Sequence, residues 1–281
     1  MLNGSSAVGL ISKGYGDRVQ LVLRDGATMC FSVQGEGSPV VLLHSLGYDQ
    51  SLYRKLATEL STLYKAVSYD LRGHGRSTLG TEPATLHTLA TDLRELMVHL
   101  GVVRAHFVGQ SIGGMVVLQA ACEDLVDGTL CLLDTIGWTD RSWEERYRDR
   151  VARIQREGLS GVADDVAHAS LGQSVVRVRP TLVDAYASQL RKCSDSSYIW
   201  GCQAMLKFDL RPMLPGIRLP VLVAAGTEDA VAPAAHARRL ADFLSQGKAV
   251  EIPDSGHLPV MEVPEASLEL LSQWFARHEN L

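Results

Sequence analysis

The residues best suited to chemistry are Gly109-Gln110-Ser111-Ile112-Gly113. An apolar run with strand character leads into this stretch, and an apolar helix pattern follows it over 115–122. A serine between two glycines at a strand-to-helix corner is a nucleophile-elbow signature. The corner is so sharp that the serine backbone is strained and its hydroxyl stands clear of the sheet. Gly109 and Gly113 remove side chains that would collide where strand and helix approach. The first helical turn offers unpaired N–H groups to a developing negative charge. The alternative is a serine that merely caps the helix, which would not require both glycines.

A serine hydroxyl is a weak nucleophile at neutral pH and needs a base in hydrogen-bond reach. The base needs a carboxylate to fix its tautomer and balance its cation. After an elbow, acid and then base follow in chain order, each beyond the end of a strand. Asp229, in Gly226-Thr227-Glu228-Asp229, and His257, in Asp254-Ser255-Gly256-His257, fill these places. Glu228 should point elsewhere. Asp134, after the strand that follows the elbow helix, is the rival acid. His44 and His74 end a strand and sit in a glycine-rich loop, and are read as structural; the remaining histidines fall on predicted helices or at a strand start. For an oxyanion, the expected donors are the N–H groups of Ile112 and Leu46, with Ser45 as second choice for the latter. Such a set hydrolyses an ester or a lactone.

These residues require a frame that brings strand ends together. Residues 18–23 and 28–34 read as a hairpin. Residues 40–43, 65–69, 105–110, 128–134, 220–226 and 249–252 read as buried strands. Helical stripes separate them at 51–61, 86–100, 115–122, 234–244 and 264–278. This alternation demands a parallel sheet with helices on both faces. It breaks between 136 and 212, where only helices are expected: 144–157, 159–171, 181–192 and 196–206. The predicted organisation is a disordered tail at 1–14, a core built from 15–135 and 213–281, and a helical cap at 136–212.

Composition narrows the function classes. The chain has 281 residues, 46% of them hydrophobic and 21% charged, which is ordinary for a globular protein. A net charge of −5 without a basic block argues against a nucleic-acid partner. No apolar run approaches the length of a membrane span, and the N-terminus lacks the pattern of a signal peptide. The five cysteines, Cys30, Cys122, Cys131, Cys193 and Cys202, form no C-x-x-C pair. They read as free thiols of a cytoplasmic protein, without a metal site.

Several motifs together resemble the α/β-hydrolase superfamily: His44-Ser45-Leu46-Gly47, Asp70-Leu71-Arg72-Gly73-His74-Gly75-Arg76-Ser77, Gly109 to Gly114, Gly226 to Asp229, and Gly256-His257. Within it the chain looks most like the 3-oxoadipate enol-lactonase group. The Ser-Leu-Gly after His44, the segment from Asp134-Thr135 through Trp143, Arg146, Arg150, Val151 and Gly158, and Asp209-Leu210-Arg211 carry that likeness. Where that group has Arg-Trp-Phe, this chain has Ala169-Ser170-Leu171. The resemblance implies an α/β-hydrolase fold: a mostly parallel eight-stranded sheet, helices on both faces, and an inserted helical cap. It also implies hydrolysis of a small-molecule ester or lactone through an acyl-enzyme, with no cofactor. A homodimer is compatible with this reading. Ser45 and Trp138 are the pocket candidates, Trp138 being equally readable as a core anchor; Trp143 and Trp200 lean towards core. Arg141, Arg177 and Arg179 are candidates to meet an acidic substrate, and otherwise surface residues. Rival readings on the same fold are a carbon–carbon bond hydrolase of a vinylogous diketone, a low-turnover ligand receptor, and a cofactor-free oxygenase.

Overall fold

The computed structural model describes residues 19–279. The tail expected at 1–14 and the first residues of the predicted core lie outside them. Eight strands form one sheet: β1 Val19–Val22, β2 Thr28–Gln34, β3 Pro39–Leu43, β4 Lys65–Tyr69, β5 Arg104–Gln110, β6 Asp127–Leu133, β7 Val221–Gly226 and β8 Gly247–Ile252. Their spatial order is β1-β2-β4-β3-β5-β6-β7-β8. Pairing is antiparallel for β1 with β2 and β2 with β4, and parallel from β4 onward.

Continuous apolar strands are what a sheet covered on both faces requires. The pleat sends alternate residues to opposite sides. Val41 and Leu43 join one core cluster with Phe107 and Val223, while Val40 and Leu42 join the other with Val108 and Leu222. Helices α2 (Leu86–His99), α3 (Ile112–Cys122) and α8 (Ala234–Phe243) cover the first face. Helices α1 (Arg54–Leu60) and α10 (Pro264–Ala276) cover the second. Residues 40–43 are completely buried, and each such side chain contributes about 1.5–3 kcal/mol.

Between β6 and β7 lie α4 (Arg141–Ser170), α5 (Gln173–Val178), α6 (Thr181–Leu190) and α7 (Asp195–Met205). The chain enters and leaves this insertion side by side. Trp138 pairs with Asp209, the Leu210 N–H donates to Gly137 O, and the Thr139 N–H donates to Phe208 O. The two helices expected at 144–157 and 159–171 run into one another through a kink. Gly158, at φ 72° and ψ 161°, breaks the helical geometry there, while the Asp195 carboxylate accepts from the Leu159 N–H at 2.8 Å. Helix α5 and the four-residue α9 (Pro259–Glu262) were not expected. Both are too short to show a periodic stripe.

Candidate active site

The site gathers at the C-terminal ends of the parallel strands, where ligands bind in open sheets of this kind. Ser111 follows β5 and precedes α3 with φ 55° and ψ −118°. A non-glycine residue held there costs about 1–3 kcal/mol unless its neighbours enforce it. They do so on both sides: the Ser111 N–H donates to Leu133 O at 2.8 Å, and Thr135 Oγ1 donates to Ser111 O at 2.7 Å. A Cβ on Gly109 would stand 2.4 Å from Gly113 O, and one on Gly113 would stand 2.3 Å from Leu43 O. The Ser111 side chain makes no capping hydrogen bond to α3. Its hydroxyl is engaged elsewhere.

That partner is His257, in the loop after β8. Its Nε2 lies 2.9 Å from Ser111 Oγ, and its Nδ1 lies 2.8 Å from Asp229 Oδ2. A carboxylate only accepts, so Nδ1 carries the proton and Nε2 accepts from the serine. Asp229 Oδ1 accepts from the Val231 and Ala232 N–H groups at 2.7 and 3.1 Å. Burial alone would raise the Asp229 carboxyl. The charge and hydrogen bond of His257, with these two amides, outweigh burial and hold it below the usual carboxylate range. Glu228 turns away and accepts from the Ser174 N–H. Asp134 is also close, with one ligand-type atom each of Asp134, Asp229 and His257 within 4.8 Å of one another. The atoms of His257 and Asp229 are spent on each other and on backbone amides. The hydrogen-bonded chain runs from Ser111 through His257 to Asp229.

The loop after β3 supplies the other wall. His44 Nδ1 lies 2.8 Å from Ser45 O, and Nε2 accepts from the Leu71 N–H at 2.9 Å. Ser45 O accepts a second hydrogen bond from the Tyr48 N–H. His44 thereby clamps the peptide that precedes Leu46. Leu71 is held in turn by Arg72, which is buried and forked onto Asp92 through Nε and Nη2, both at 2.8 Å. Among the described residues neither the Leu46 nor the Ile112 N–H donates to a protein acceptor.

A small cavity of about 10 Å³ sits against Ser111 and His257. Ser45 and Leu46 line it from the core; Tyr147, Arg150 and Tyr198 line it from the inserted helices. The Ser45 hydroxyl is buried there with no hydrogen-bond partner among the described residues. Trp138 does not reach this cavity. It lines an outer groove of about 750 Å³ and packs on His236 at 4.2 Å, so it serves as anchor and groove wall together. Arg141 is exposed and pairs with Glu145, Arg177 is exposed, and Arg179 donates to Glu262 O.

The guanidinium that does reach the inner cavity is Arg150. It lies over the Tyr147 ring, 4.8 Å from its centroid, and donates to Tyr198 Oη at 3.3 Å. Burial works against its charge, but Tyr198, Tyr147 and Cys202 outweigh it and hold the guanidinium above its ordinary value. The sequence signal was an arginine inside the buried stripe Trp143, Tyr147 and Ile154, at helical spacing.

The family model for the alpha/beta hydrolase family matches residues 40–270. The chain is 28% identical over 264 residues to 3-oxoadipate enol-lactonase 1 of Acinetobacter baylyi, covering 90% of this chain and 95% of that protein. The structure of a thermophilic esterase from Thermogutta terrifontis, with malate bound, superposes with a TM-score of 0.86 at 28% identity, covering 94% of this chain and all of that one. The enol-lactonase of Burkholderia xenovorans gives a TM-score of 0.85 at 28% identity, covering 92% of this chain and 100% of its own. With the elbow, the sheet order and these matches in agreement, the chain belongs to the alpha/beta hydrolase family.

Proposed function

We propose that the protein hydrolyses a carboxylic ester or lactone through an acyl-enzyme on Ser111. The observation that carries this reading is the unbroken relay from Ser111 Oγ to His257 Nε2 at 2.9 Å and from His257 Nδ1 to Asp229 Oδ2 at 2.8 Å. Ser111 Oγ attacks the carbonyl carbon while His257 Nε2 takes its proton. The negative charge that forms on the carbonyl oxygen meets the Leu46 and Ile112 N–H groups. The tetrahedral adduct collapses, the C–O bond breaks, and His257 returns the proton to the leaving alkoxide. In a lactone that alkoxide stays tethered to the acyl group. Water then attacks the acyl-enzyme with His257 again as base, releasing the acid and Ser111.

Residues 136–212 act as a cap over a core of 15–135 and 213–281. Arg150 puts one cation into the reacting cavity, and no carboxylate pairs with it among the described residues. This favours a substrate that bears an acidic group of its own. The named substrate of the enol-lactonase relatives and the malate of the esterase structure are consistent with that.

The test is a panel of p-nitrophenyl esters and small lactones, with and without a carboxylate. Wild-type protein should turn over members of the panel, and Ser111→Ala should lose at least about 10³-fold in kcat with the fold intact. A fluorophosphonate should form one adduct, located at Ser111 by peptide mass spectrometry. Full activity of Ser111→Ala, or labelling elsewhere, would overturn the assignment. Arg150→Met should raise KM for the carboxylate-bearing members and leave the neutral ones nearly unchanged.

A further inference from the structure

Asp134 follows β6 and lies behind the relay. Its backbone adopts φ 46°, in the left-handed region, and its side chain is completely buried. Oδ1 accepts from the Gly226 N–H at 2.7 Å. Among the described residues Oδ2 has one hydrogen-bond contact, a long one with Gln110 Nε2 at 3.4 Å. The Gln110 amide is oriented by stronger demands: Nε2 donates to His257 O at 2.7 Å and reaches Leu133 O at 3.3 Å. The Asp229 carboxyl group lies close as well, with a ligand-type oxygen of each within 4.8 Å of the other.

Two carboxylates buried this close do not both stay ionised without a cation between them. The titratable groups facing Asp134 are Asp229 from the loop after β7, His257 from the loop after β8, and Tyr53 ahead of α1. Tyr53 is turned away, donating its hydroxyl to Leu43 O. His257 directs its Nδ1 proton to Asp229. Burial first, and the charge of Asp229 second, hold the Asp134 carboxyl well above the usual range, whereas Asp229 is held below it. The environments separate the two groups into one acid and one base.

We propose that Asp134 is a positioning residue that keeps its proton and donates it through Oδ2 to the carboxylate of Asp229, so that the pair presents one shared negative charge to His257. This rests on the triad reading given above. The proton stays on Asp134 throughout, and no bond forms or breaks. The donated hydrogen bond fixes the Asp229 carboxylate against rotation. It also draws charge away from Asp229, which then stabilises the His257 imidazolium less, and the imidazole stays neutral and ready to accept a proton to lower pH.

Infrared difference spectroscopy tests the proton without requiring turnover. At neutral pH the wild-type protein and Ser111→Ala should both show the C=O stretch of a protonated buried carboxyl group, and Asp134→Asn should lack it. Absence of the band in wild type, or its survival in Asp134→Asn, would overturn the proposal. The pH dependence of kcat/KM tests the positioning role. Asp134→Asn keeps a neutral donor toward Asp229, so kcat should stay within about threefold and the acid limb should not move. Asp134→Ala removes the donor; kcat should fall about tenfold with KM unchanged, and the acid limb should move up by about one pH unit. An ionised Asp134 predicts instead that the acid limb drops in the Asn variant. A purely structural Asp134 predicts a lower melting temperature in the Ala variant with no movement of the limb. If Asp134→Ala fails to fold, the Asn profile and the infrared band still decide. If wild type hydrolyses nothing in the panel, the proposed function fails while the band still reports on Asp134.

Discussion

At the scale of single residues, two histidines, His44 and His74, are buried beside the loop after β3. His44 and His74 have ring centroids 5.4 Å apart. His44 spends both ring nitrogens on backbone, as donor to Ser45 O and acceptor from the Leu71 N–H. Burial drives both imidazoles down to about 4 from the ordinary 6.5, and His74 is pushed further by the charge of His44. The unfolded chain therefore binds protons that the folded chain refuses. The stability supplied by these groups is fully present above pH 6.5 and is lost as pH falls toward 4. By about pH 4 the loss reaches roughly 3 kcal/mol for each, the push of His44 on His74 included. Urea midpoints measured at intervals from pH 7 to pH 4 should fall steeply over that window, and His74→Gln should flatten the curve. A wild-type curve that stays level would mean that neither imidazole is held neutral by the fold. Both histidines read as structural from sequence because they precede the elbow, whereas the base of such a set follows it in chain order. The clamp that His44 applies to the peptide before Leu46 was not legible, since its partner Leu71 comes from the next strand's loop.

Whole elements show a sharper division between what local sequence encodes and what only packing creates. The elbow is local: strand, turn and helix are contiguous, and both glycines are demanded by contacts within a few ångströms. Gly113→Ala should be among the most damaging small substitutions, because its Cβ meets the Leu43 carbonyl oxygen, which β3 cannot move aside. A loss of more than about 3 kcal/mol, or no soluble protein, is the expected outcome; near wild-type stability would show that the turn is looser than its contacts imply. The loop holding His257 is different. Glu262 is fully buried and gathers three backbone amides, accepting from Gly172 and Gly256 at Oε2 and from Leu258 at Oε1, all within 2.9 Å. The His257 N–H donates to Ser170 O, at the end of α4. One carboxylate thus ties the inserted helices to the loop that holds His257. Its element, α9, is four residues long, so no periodicity announces it. Glu262→Ala leaves three buried donors unpaired, each worth about 1–3 kcal/mol. Both the urea midpoint and kcat should fall, and Glu262→Gln should restore part of each. Unchanged kcat in Glu262→Ala would show that the loop is held by the Ser170 contact alone.

For the molecule as a whole, the strand–helix alternation made the sheet readable, and with it the strand ends at which the proposed site gathers, because each buried strand must be apolar on both faces. The shape of the cavity was not readable, since residues from α4, α6, α7 and the loop after β7 meet only on folding. That shape has a consequence for substrate choice. The inner cavity, about 10 Å³, is small beside an outer groove of about 750 Å³. Val231 lines both, and Tyr147 and Arg150 line the inner one with it. Its N–H holds Asp229 Oδ1, so its backbone belongs to the relay while its side chain is free to set the size of the pocket. A short acyl group needs only small movements around Ser111, whereas a long one needs room beyond the inner cavity, on the side that Val231 lines. Val231→Ala removes two methyl groups and keeps the N–H in place. The kcat/KM for p-nitrophenyl hexanoate should then rise relative to acetate by about 10-fold, the worth of one or two methylenes in an apolar pocket. Acetate turnover and its pH profile should hold, because the relay is untouched. An unchanged hexanoate-to-acetate ratio would place the limit on chain length elsewhere, at the Tyr147 and Arg150 wall, and would separate the groove from the path that substrate takes.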